Sequence, residues 1–301
     1  MPELPEVESI RREIAPRIEG AVLSNVKIRR RDVLRDSRGR RRGSIPKEHL
    51  GVGGRIDRVG RRGKQLTLEF SSGVAAVVRL GMSGRVDVVE NARPIPRHQH
   101  VLWTFETPAG PPVRLGFVDP RRFGGVHLAA DRSDLENRLF GRLGPEATTI
   151  GVRELVPRLR KTSRALKSAV LDQAVLAGVG NIYADESLHR ALLSPERPAN
   201  ELSRHEVDRL CRAIRTVLRR AIDAGGSTLR DHRLPDGRPG EFTASHQVYG
   251  RAGLDCPRCG DILVGVVLGG RGTTFCPSCQ SPHPIHNGST PTRSDDRTSS
   301  S

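Results

Sequence analysis

The apolar positions change their period twice along the chain. Between residues 5 and 18, Val7, Ile10 and Ile14 recur at helical spacing, which predicts a short amphipathic helix close to the amino terminus. From there to about residue 130 the apolar runs are short, rich in branched residues and separated by glycines. Segments 65–70, 74–79, 101–105 and 113–118 are the clearest of these, and they predict antiparallel strands in a sandwich or barrel. Near residue 134 the helical period returns. Segments 135–143, 152–159, 166–176, 183–193 and 206–222 read as helices, divided by Gly-Pro, Gly-Val-Gly-Asn and Ser-Pro. Residues 225–249 are glycine-rich, charged and poor in branched residues, which predicts a long loop of the kind that often carries function. The polar, serine-rich stretch 286–301 is expected to be disordered, and the basic run 38–44 reads as a solvated insert. The fold class expected is therefore α+β: a β-sandwich-like amino-terminal domain with an amino-terminal helix, then a helical domain. We place the boundaries at 1–133, 134–248, a cysteine module over 249–283 and a tail over 284–301.

Charge narrows the partners. Fifty Lys and Arg against 34 Asp and Glu give a net charge of +16, as expected of a chain that holds nucleic acid or an anionic membrane surface. No apolar run approaches the roughly 20 residues of a spanning helix, and the amino terminus is acidic where a secretory signal would be basic. These features favour nucleic acid over a membrane and an intracellular location. Aromatic residues make up only 3% of the chain, which favours a groove gripping duplex phosphates over extended stacking platforms for single strands.

Four of the five cysteines fall late, as Cys256, Cys259, Cys276 and Cys279. The pattern is C-x2-C, sixteen residues, C-x2-C, with Pro257, Gly260 and Pro277 at the turns. Two thiolate pairs on tight turns can converge tetrahedrally on one Zn2+, and an intracellular location argues against disulfides. Cys211 lies apart among Val207, Leu210, Ile214 and Leu218, where it reads as a small core residue.

The amino terminus carries the most pointed chemistry. Pro2 is small enough to permit removal of Met1, which would expose a secondary amine. An α-amino group titrates near about 8, so part of it is unprotonated at neutral pH and can attack a sugar carbon. A secondary amine condensed with a ring-opened sugar gives an iminium that is charged without further protonation. Glu3 and Glu6 beside it could protonate the sugar ring oxygen and orient the reacting groups. The same residues also suit the first turn of a helix, where proline is tolerated and carboxylates complement the macrodipole.

Several motifs, in order along residues 2–280, resemble those of bacterial formamidopyrimidine-DNA glycosylases, within the formamidopyrimidine-DNA glycosylase and endonuclease VIII family. Pro2-Glu3-Leu4-Pro5-Glu6-Val7-Glu8 is similar to the amino-terminal signature, and Arg61-Arg62-Gly63-Lys64 to the hairpin with the catalytic lysine. Leu80-Gly81-Met82-Ser83-Gly84, Arg97-His98-Gln99-His100 and Asp119-Pro120-Arg121-Arg122-Phe123-Gly124 follow, then Leu143-Gly144-Pro145-Glu146 and Leu171-Asp172-Gln173. Gly178-Val179-Gly180-Asn181-Ile182-Tyr183 looks like the turn of a helix-two-turn-helix motif. Gly225-Gly226-Ser227-Thr228 and Gly270-Arg271-Gly272-Thr273 stand where the family has its lesion-capping loop and zinc-finger hairpin.

The resemblance implies a monomeric bifunctional enzyme of base excision repair. It would remove 8-oxoguanine and formamidopyrimidines from damaged duplex DNA held between its domains, and cut the strand by β,δ-elimination. Pro2 would be the Schiff-base nucleophile, Glu3 the proton donor to the sugar, Glu6 a supporting acid and Lys64 an assistant in base loss and the first elimination. Arg271 would grip the flanking phosphates, since a guanidinium suits bidentate contact. His98, Lys167 and Asn181 match backbone-contact positions. Extruding the damaged nucleotide leaves a hole in the stack, which Met82, Arg121 and Phe123 would fill; by residue type alone Met82 and Phe123 read as core, but their glycine-flanked settings favour exposed loops. Two positions depart from the pattern: Gln99, where an acid is frequent, and Thr274, where histidine is. The alternatives are an oxidised-pyrimidine glycosylase of endonuclease VIII type and a non-catalytic zinc-containing DNA-binding protein. The latter needs no free amino-terminal proline.

Overall fold

A computed structural model describes residues 2–40, 48–89, 96–228 and 233–281. The expected disordered tail, most of the basic insert and part of the capping loop lie outside the described residues.

Helix α1 (Leu4–Ile18) begins with Pro5 in its first turn, where a missing N–H costs nothing, and with the Glu6 carboxylate accepting the Glu3 backbone N–H. Its face of Val7, Ile10, Ile14 and Ile18 is wholly buried against the strands that follow, in the core the periodicity predicted. Leu4 points the other way. It packs with the helices of the second half, and its N–H donates to the Gly178 carbonyl at 3.2 Å. The first residues of the chain therefore sit where two hydrophobic cores meet.

The strands are β1 (Val22–Ile28), β2 (Leu34–Asp36), β3 (Ile56–Arg62), β4 (Gln65–Phe70), β5 (Ala75–Arg79), β6 (Arg85–Val88), β7 (Gln99–Glu106), β8 (Val113–Val118) and β9 (Gly125–Ala129). One sheet has the order β1-β7-β8-β6 and the other β2-β9-β5-β4-β3, antiparallel throughout except for the short β2–β9 pairing. Leu66, Leu68 and Val78 from one sheet meet Trp103, Phe105 and Phe117 from the other, with α1 closing the same core. This is the expected sandwich-like arrangement with a helix at its start.

The helical half departs from the periodicity in three places. The first helix expected there is one turn, α2 (Arg132–Asp134), running into a π-helical segment Leu135–Phe140. After α3 (Val152–Leu159), α4 (Leu166–Leu171) stops short of residue 176. Asp172 takes an extended conformation there, and its carboxylate accepts the Ala174 N–H at 2.9 Å, the kind of side-chain turn that competes with a helix. Helix α5 (Asn181–Ala191) ends early as well, because Leu192 adopts a left-handed conformation at φ 56°. Helix α6 (Arg204–Asp223) carries a capping box between Ser203 and Glu206 and buries Cys211 with Leu210, Ile214 and Leu218, as its spacing requires. Strands β10 (Val264–Leu268) and β11 (Arg271–Phe275) form a separate hairpin in the cysteine module.

Candidate active site

Glu3 is 2% exposed and lies against the amino-terminal end of α5, where its Oε1 accepts the Ile182 N–H at 3.0 Å. The approach is so close that a side chain on Gly180 would overlap the carboxyl, with a Cβ 2.2 Å from its carbon. Among the described residues Oε2 meets no donor in good hydrogen-bond geometry, although the nearby Gly180 N–H also favours the charged carboxyl. Burial pushes the Glu3 carboxyl up to about 7; the charge of Lys64 opposes the shift and Glu6 adds to it. An acid titrating there is suited to donating a proton at neutral pH. Glu6 is placed differently. Its Oε2 holds the Glu3 N–H at 2.7 Å, and its Oε1 accepts the Ser227 N–H at 2.8 Å and a short hydrogen bond from the Tyr183 hydroxyl. Both oxygens are thus hydrogen-bonded, one of them to the Glu3 N–H.

Lys64 stands in the tight turn between β3 and β4, next to Gly63 at φ +56°. Glu146 pins this turn from the helical half. It accepts the Gly63 N–H at 3.0 Å and an Arg62 guanidinium N–H at 2.9 Å, while Arg61 bridges Glu146 and Glu8. Burial lowers the Lys64 pKa, and the Glu3 and Glu6 charges oppose that shift. Lys64 and Pro2 line one cleft of about 760 Å³ together with Arg79, Gly81 and Arg142. Arg79 was not singled out by sequence reasoning, although a charge ending an otherwise apolar strand was a signal for it.

Met82 and Phe123 are 40% and 62% exposed, so the core reading of their residue types does not hold. They project from two turns locked together by a buried Asp119. Its Oδ1 accepts the Ser83 hydroxyl at 2.7 Å, and its Oδ2 accepts the Gly124 N–H at 2.8 Å. The Ser83 oxygen in turn accepts the Arg121 N–H at 3.1 Å, and the Arg121 guanidinium lies 5.0 Å over the Phe123 ring. The three expected stack-filling residues therefore share one exposed platform. Half-buried His98 adjoins it, its carbonyl accepting the Asp119 N–H at 3.1 Å. The departing Gln99 turns inward over Gly116.

Arg271 is exposed at the start of β11, beside the tip of the β10–β11 hairpin. Asn181, at the start of α5, reaches that hairpin by donating from Nδ2 to the Gly272 carbonyl at 2.9 Å. Lys167 is a correction. Its side chain is fully buried, with Nζ 2.7 Å from Asp185 Oδ1 and donating to the Gly272 carbonyl at 2.7 Å and to Thr273 Oγ1 at 2.9 Å. The ammonium is buried among these internal partners and is not presented to a phosphate in this structure; it anchors the hairpin to α4 and α5. The sequence signal missed was the adjacent pair Asp185 and Glu186 in the middle of the helix that follows Gly180, since buried carboxylates need partners. Glu186 finds its own in the N–H groups of Gln247, Val248 and Tyr249, all at 2.9–3.0 Å.

The Sγ atoms of Cys256, Cys259, Cys276 and Cys279 all lie within 4.8 Å of one another. That clustering suits a tetrahedral Zn–thiolate site, whose sulfur edges are roughly 3.8 Å. His189 Nε2 stands 3.5 Å from Cys256 Sγ, where it can support a thiolate. The four cysteines fit one structural Zn2+, and among the described residues the module's small core is Val248, Leu263, Cys256 and Cys276, with Cys279 packed against it.

Three family descriptions match the chain in order. They are "Formamidopyrimidine-DNA glycosylase N-terminal domain" over residues 1–126, "Formamidopyrimidine-DNA glycosylase H2TH domain" over 143–233 and "Zinc finger found in FPG and IleRS" over 253–282. The formamidopyrimidine-DNA glycosylase of Thermus thermophilus is 43% identical over 288 residues, covering 94% of this chain and 100% of that protein. Its namesake in Neisseria meningitidis is 42% identical, covering 93% and 100%. Among solved structures, the Thermus thermophilus protein superposes with a TM-score of 0.80 at 42% identity, over 94% of this chain and 100% of that one. The Lactococcus lactis protein, in complex with DNA containing an abasic site, gives 0.80 at 32% identity, over 93% and 99%. In complex with DNA containing N7-benzyl-Fapy-dG it gives 0.80 at 33% identity, over 93% and 100%.

Proposed function

The chain belongs to the formamidopyrimidine-DNA glycosylase family, and from that premise we propose how its residues share the work. The protein is a DNA glycosylase and abasic-site lyase of base excision repair, acting on oxidised purines in duplex DNA. It works where bacterial DNA lies, in the cytoplasm; among the described residues no helix is long and apolar enough to cross a membrane.

The observation that carries the reading is the Glu3 carboxyl, buried, raised to about 7 and with one oxygen that meets no well-placed donor among the described residues, in the segment that begins at Pro2. Once Met1 is removed, the Pro2 amine attacks the sugar carbon bearing the damaged base. Glu3 gives its proton to the ring oxygen, so the ring opens as the base leaves and the iminium forms. Glu6 keeps Glu3 and Pro2 in register through the Glu3 N–H. Lys64, whose pKa burial lowers, shuttles a proton during base loss and the first elimination. Arg271, Asn181 and His98 hold the flanking phosphates. Met82, Arg121 and Phe123 fill the vacated stack, a role indifferent to which base has left. Cys256, Cys259, Cys276 and Cys279 would hold one Zn2+, whose part would be to tie together the hairpin that presents Arg271.

The test is strand cleavage and borohydride trapping on duplexes containing 8-oxoguanine or an oxidised pyrimidine. The reading expects a trapped adduct that disappears in Pro2→Gly and a preference for the purine. A preference for the pyrimidine would move the chain to endonuclease VIII chemistry, and undiminished trapping in a protein whose Pro2 amine is blocked by a retained Met1 would move the nucleophile to a lysine.

A further inference from the structure

Behind Glu6 lies a run of buried polar groups that the reaction as described does not use. The Tyr183 hydroxyl donates to Glu6 Oε1 and stands 3.3 Å from Ser227 Oγ, which is 3.0 Å from His246 Nε2. Tyr183, Ser227 and His246 are 0%, 3% and 6% exposed. Counting protons fixes the direction of the chain. The single Tyr183 proton goes to Glu6, so the Tyr183 oxygen can only accept from Ser227. The single Ser227 proton is then committed, and Ser227 can only accept from an Nε2–H of His246. His246 is thus the obligate donor at the head of a one-way chain ending on the carboxylate. Its ring is held edge-on between Phe242 at 5.7 Å and Tyr249 at 5.5 Å, which leaves it little freedom to turn away.

The same residues form the neck of the 225–249 loop. The Glu241 N–H donates to the Ala224 carbonyl at 2.8 Å, the Phe242 N–H to the Gly226 carbonyl at 3.0 Å and the Gly240 N–H to Thr228 Oγ1 at 2.7 Å. Ser227 belongs to this neck, and its own N–H holds Glu6. Gly226 lets the neck come so near, since a Cβ there would lie 2.7 Å from Glu6 Oε1.

We propose that His246 is a positioning residue for the reaction: through Ser227 and Tyr183 it orients the Glu6 carboxylate that holds Glu3 and Pro2 in register. The proposal rests on the glycosylase reading above. It differs from a packing role because its effect is routed through one hydroxyl. Removing the donor should slow the chemistry without weakening DNA binding, and should have no further effect once that hydroxyl is gone.

The experiment is a double-mutant cycle of His246→Leu and Tyr183→Phe in the full chain, with His246→Gln as the variant that keeps an N–H donor. Single-turnover excision of 8-oxoguanine is measured against enzyme concentration, alongside cleavage of a preformed abasic duplex. His246→Leu should lower the maximal rate of both reactions by about tenfold and leave the half-saturating concentration within about twofold, as expected for loss of a hydrogen bond that feeds a charged group. His246→Gln should recover most of that loss, and adding His246→Leu to Tyr183→Phe should cost less than about twofold more. A wild-type rate in His246→Leu would overturn the proposal, as would a raised half-saturating concentration at unchanged maximal rate, or additive losses. Equal losses in His246→Gln and His246→Leu, including those of poorly folded variants, would overturn it in favour of packing. Absence of excision by the unaltered protein would instead overturn the glycosylase reading.

Discussion

Glu3→Gln should make the protein more stable at alkaline pH while removing base excision. The Glu3 carboxyl titrates at about 7 in the folded protein against an ordinary value of 4.5, chiefly because it is buried. A group whose folded pKa is raised contributes a stability that is fully present below the unfolded pKa and is lost as pH rises through the folded one. The window here runs from about pH 4.5 to about pH 7, beyond which the buried carboxylate is ionised at full cost. A shift of 2.5, the difference between the two printed values, corresponds to roughly 3 kcal/mol. Glutamine has the same shape and no ionisation, so it escapes that loss.

Urea denaturation at several pH values from 5 to 8 measures the effect directly. The chain has a single tryptophan, Trp103, 3% exposed in the sandwich core, so its fluorescence reports unfolding of the half that carries Glu3. The stability of Glu3→Gln minus that of the wild type should grow by roughly 2–3 kcal/mol across the range, because every other titrating group cancels in the difference. Parallel pH curves for the two proteins would refute the reasoning. They would mean that Glu3 ionises like a solvated carboxyl, and it could not then serve as the acid at neutral pH.

The same titration predicts a bell-shaped pH profile for 8-oxoguanine excision, which needs an unprotonated Pro2 amine and a protonated Glu3, with an alkaline limb that falls through about 7, whereas cleavage of a preformed abasic site, from which the base has already left, keeps rising over that range. Because the Lys64 charge lowers the Glu3 pKa, Lys64→Met should move the excision break upward, and an unmoved break in its pH–rate profile would contradict that coupling. Lys167→Met should cost about 3 kcal/mol or more by stranding Asp185, yet leave the salt dependence of DNA binding unchanged, whereas Arg271→Ala should flatten that slope by about one phosphate contact. A reduced slope with unchanged stability in Lys167→Met would show that its ammonium reaches DNA after all. Stripping zinc with a chelator, or Cys256→Ser, should unfold the cysteine module and lower DNA affinity while leaving the Trp103 unfolding transition in place, since metal binding there is folding free energy; full affinity in the zinc-free protein would refute this.

What could be read from the chain in advance was whatever a short segment determines by itself. The α1 face, the 65–70 strand and the spacing of the four cysteines are local patterns, and each appears as expected. Pairings between distant segments could not be read in this way. Glu6 meets Ser227 across 221 residues and Tyr183 across 177, and nothing in the residue types says that these partners take up both of its oxygens. Lys167 shows the same limit with the sign of charge. A lysine in a DNA-binding motif reads as a phosphate contact, and only the fold reveals that it is buried against Asp185, the Gly272 carbonyl and the Thr273 hydroxyl. Helix ends were blurred for a related reason, since Asp172 and Leu192 stop their helices through local backbone choices that an apolar period cannot register.

The glycines near the amino terminus show how the two kinds of information join. Gly180 and Gly226 read from sequence as turn punctuation, and Gly226 does take a left-handed conformation at φ +82°. Their larger role is to be small. A Cβ on Gly180 would come within 2.2–2.5 Å of the Glu3 carboxyl, and one on Gly226 within 2.7–3.1 Å of Glu6. The start of α5 and the neck of the loop can therefore close on the two carboxylates from opposite sides, bringing backbone N–H groups to each in place of water. That enclosure raises the Glu3 pKa by removing solvent faster than the Ile182 N–H and the Lys64 charge can compensate. Glu6 is given three donors in the same enclosure. Two glutamates three residues apart thus reach different chemistry through the number of donors each is offered, and the glycines decide how closely those donors can approach.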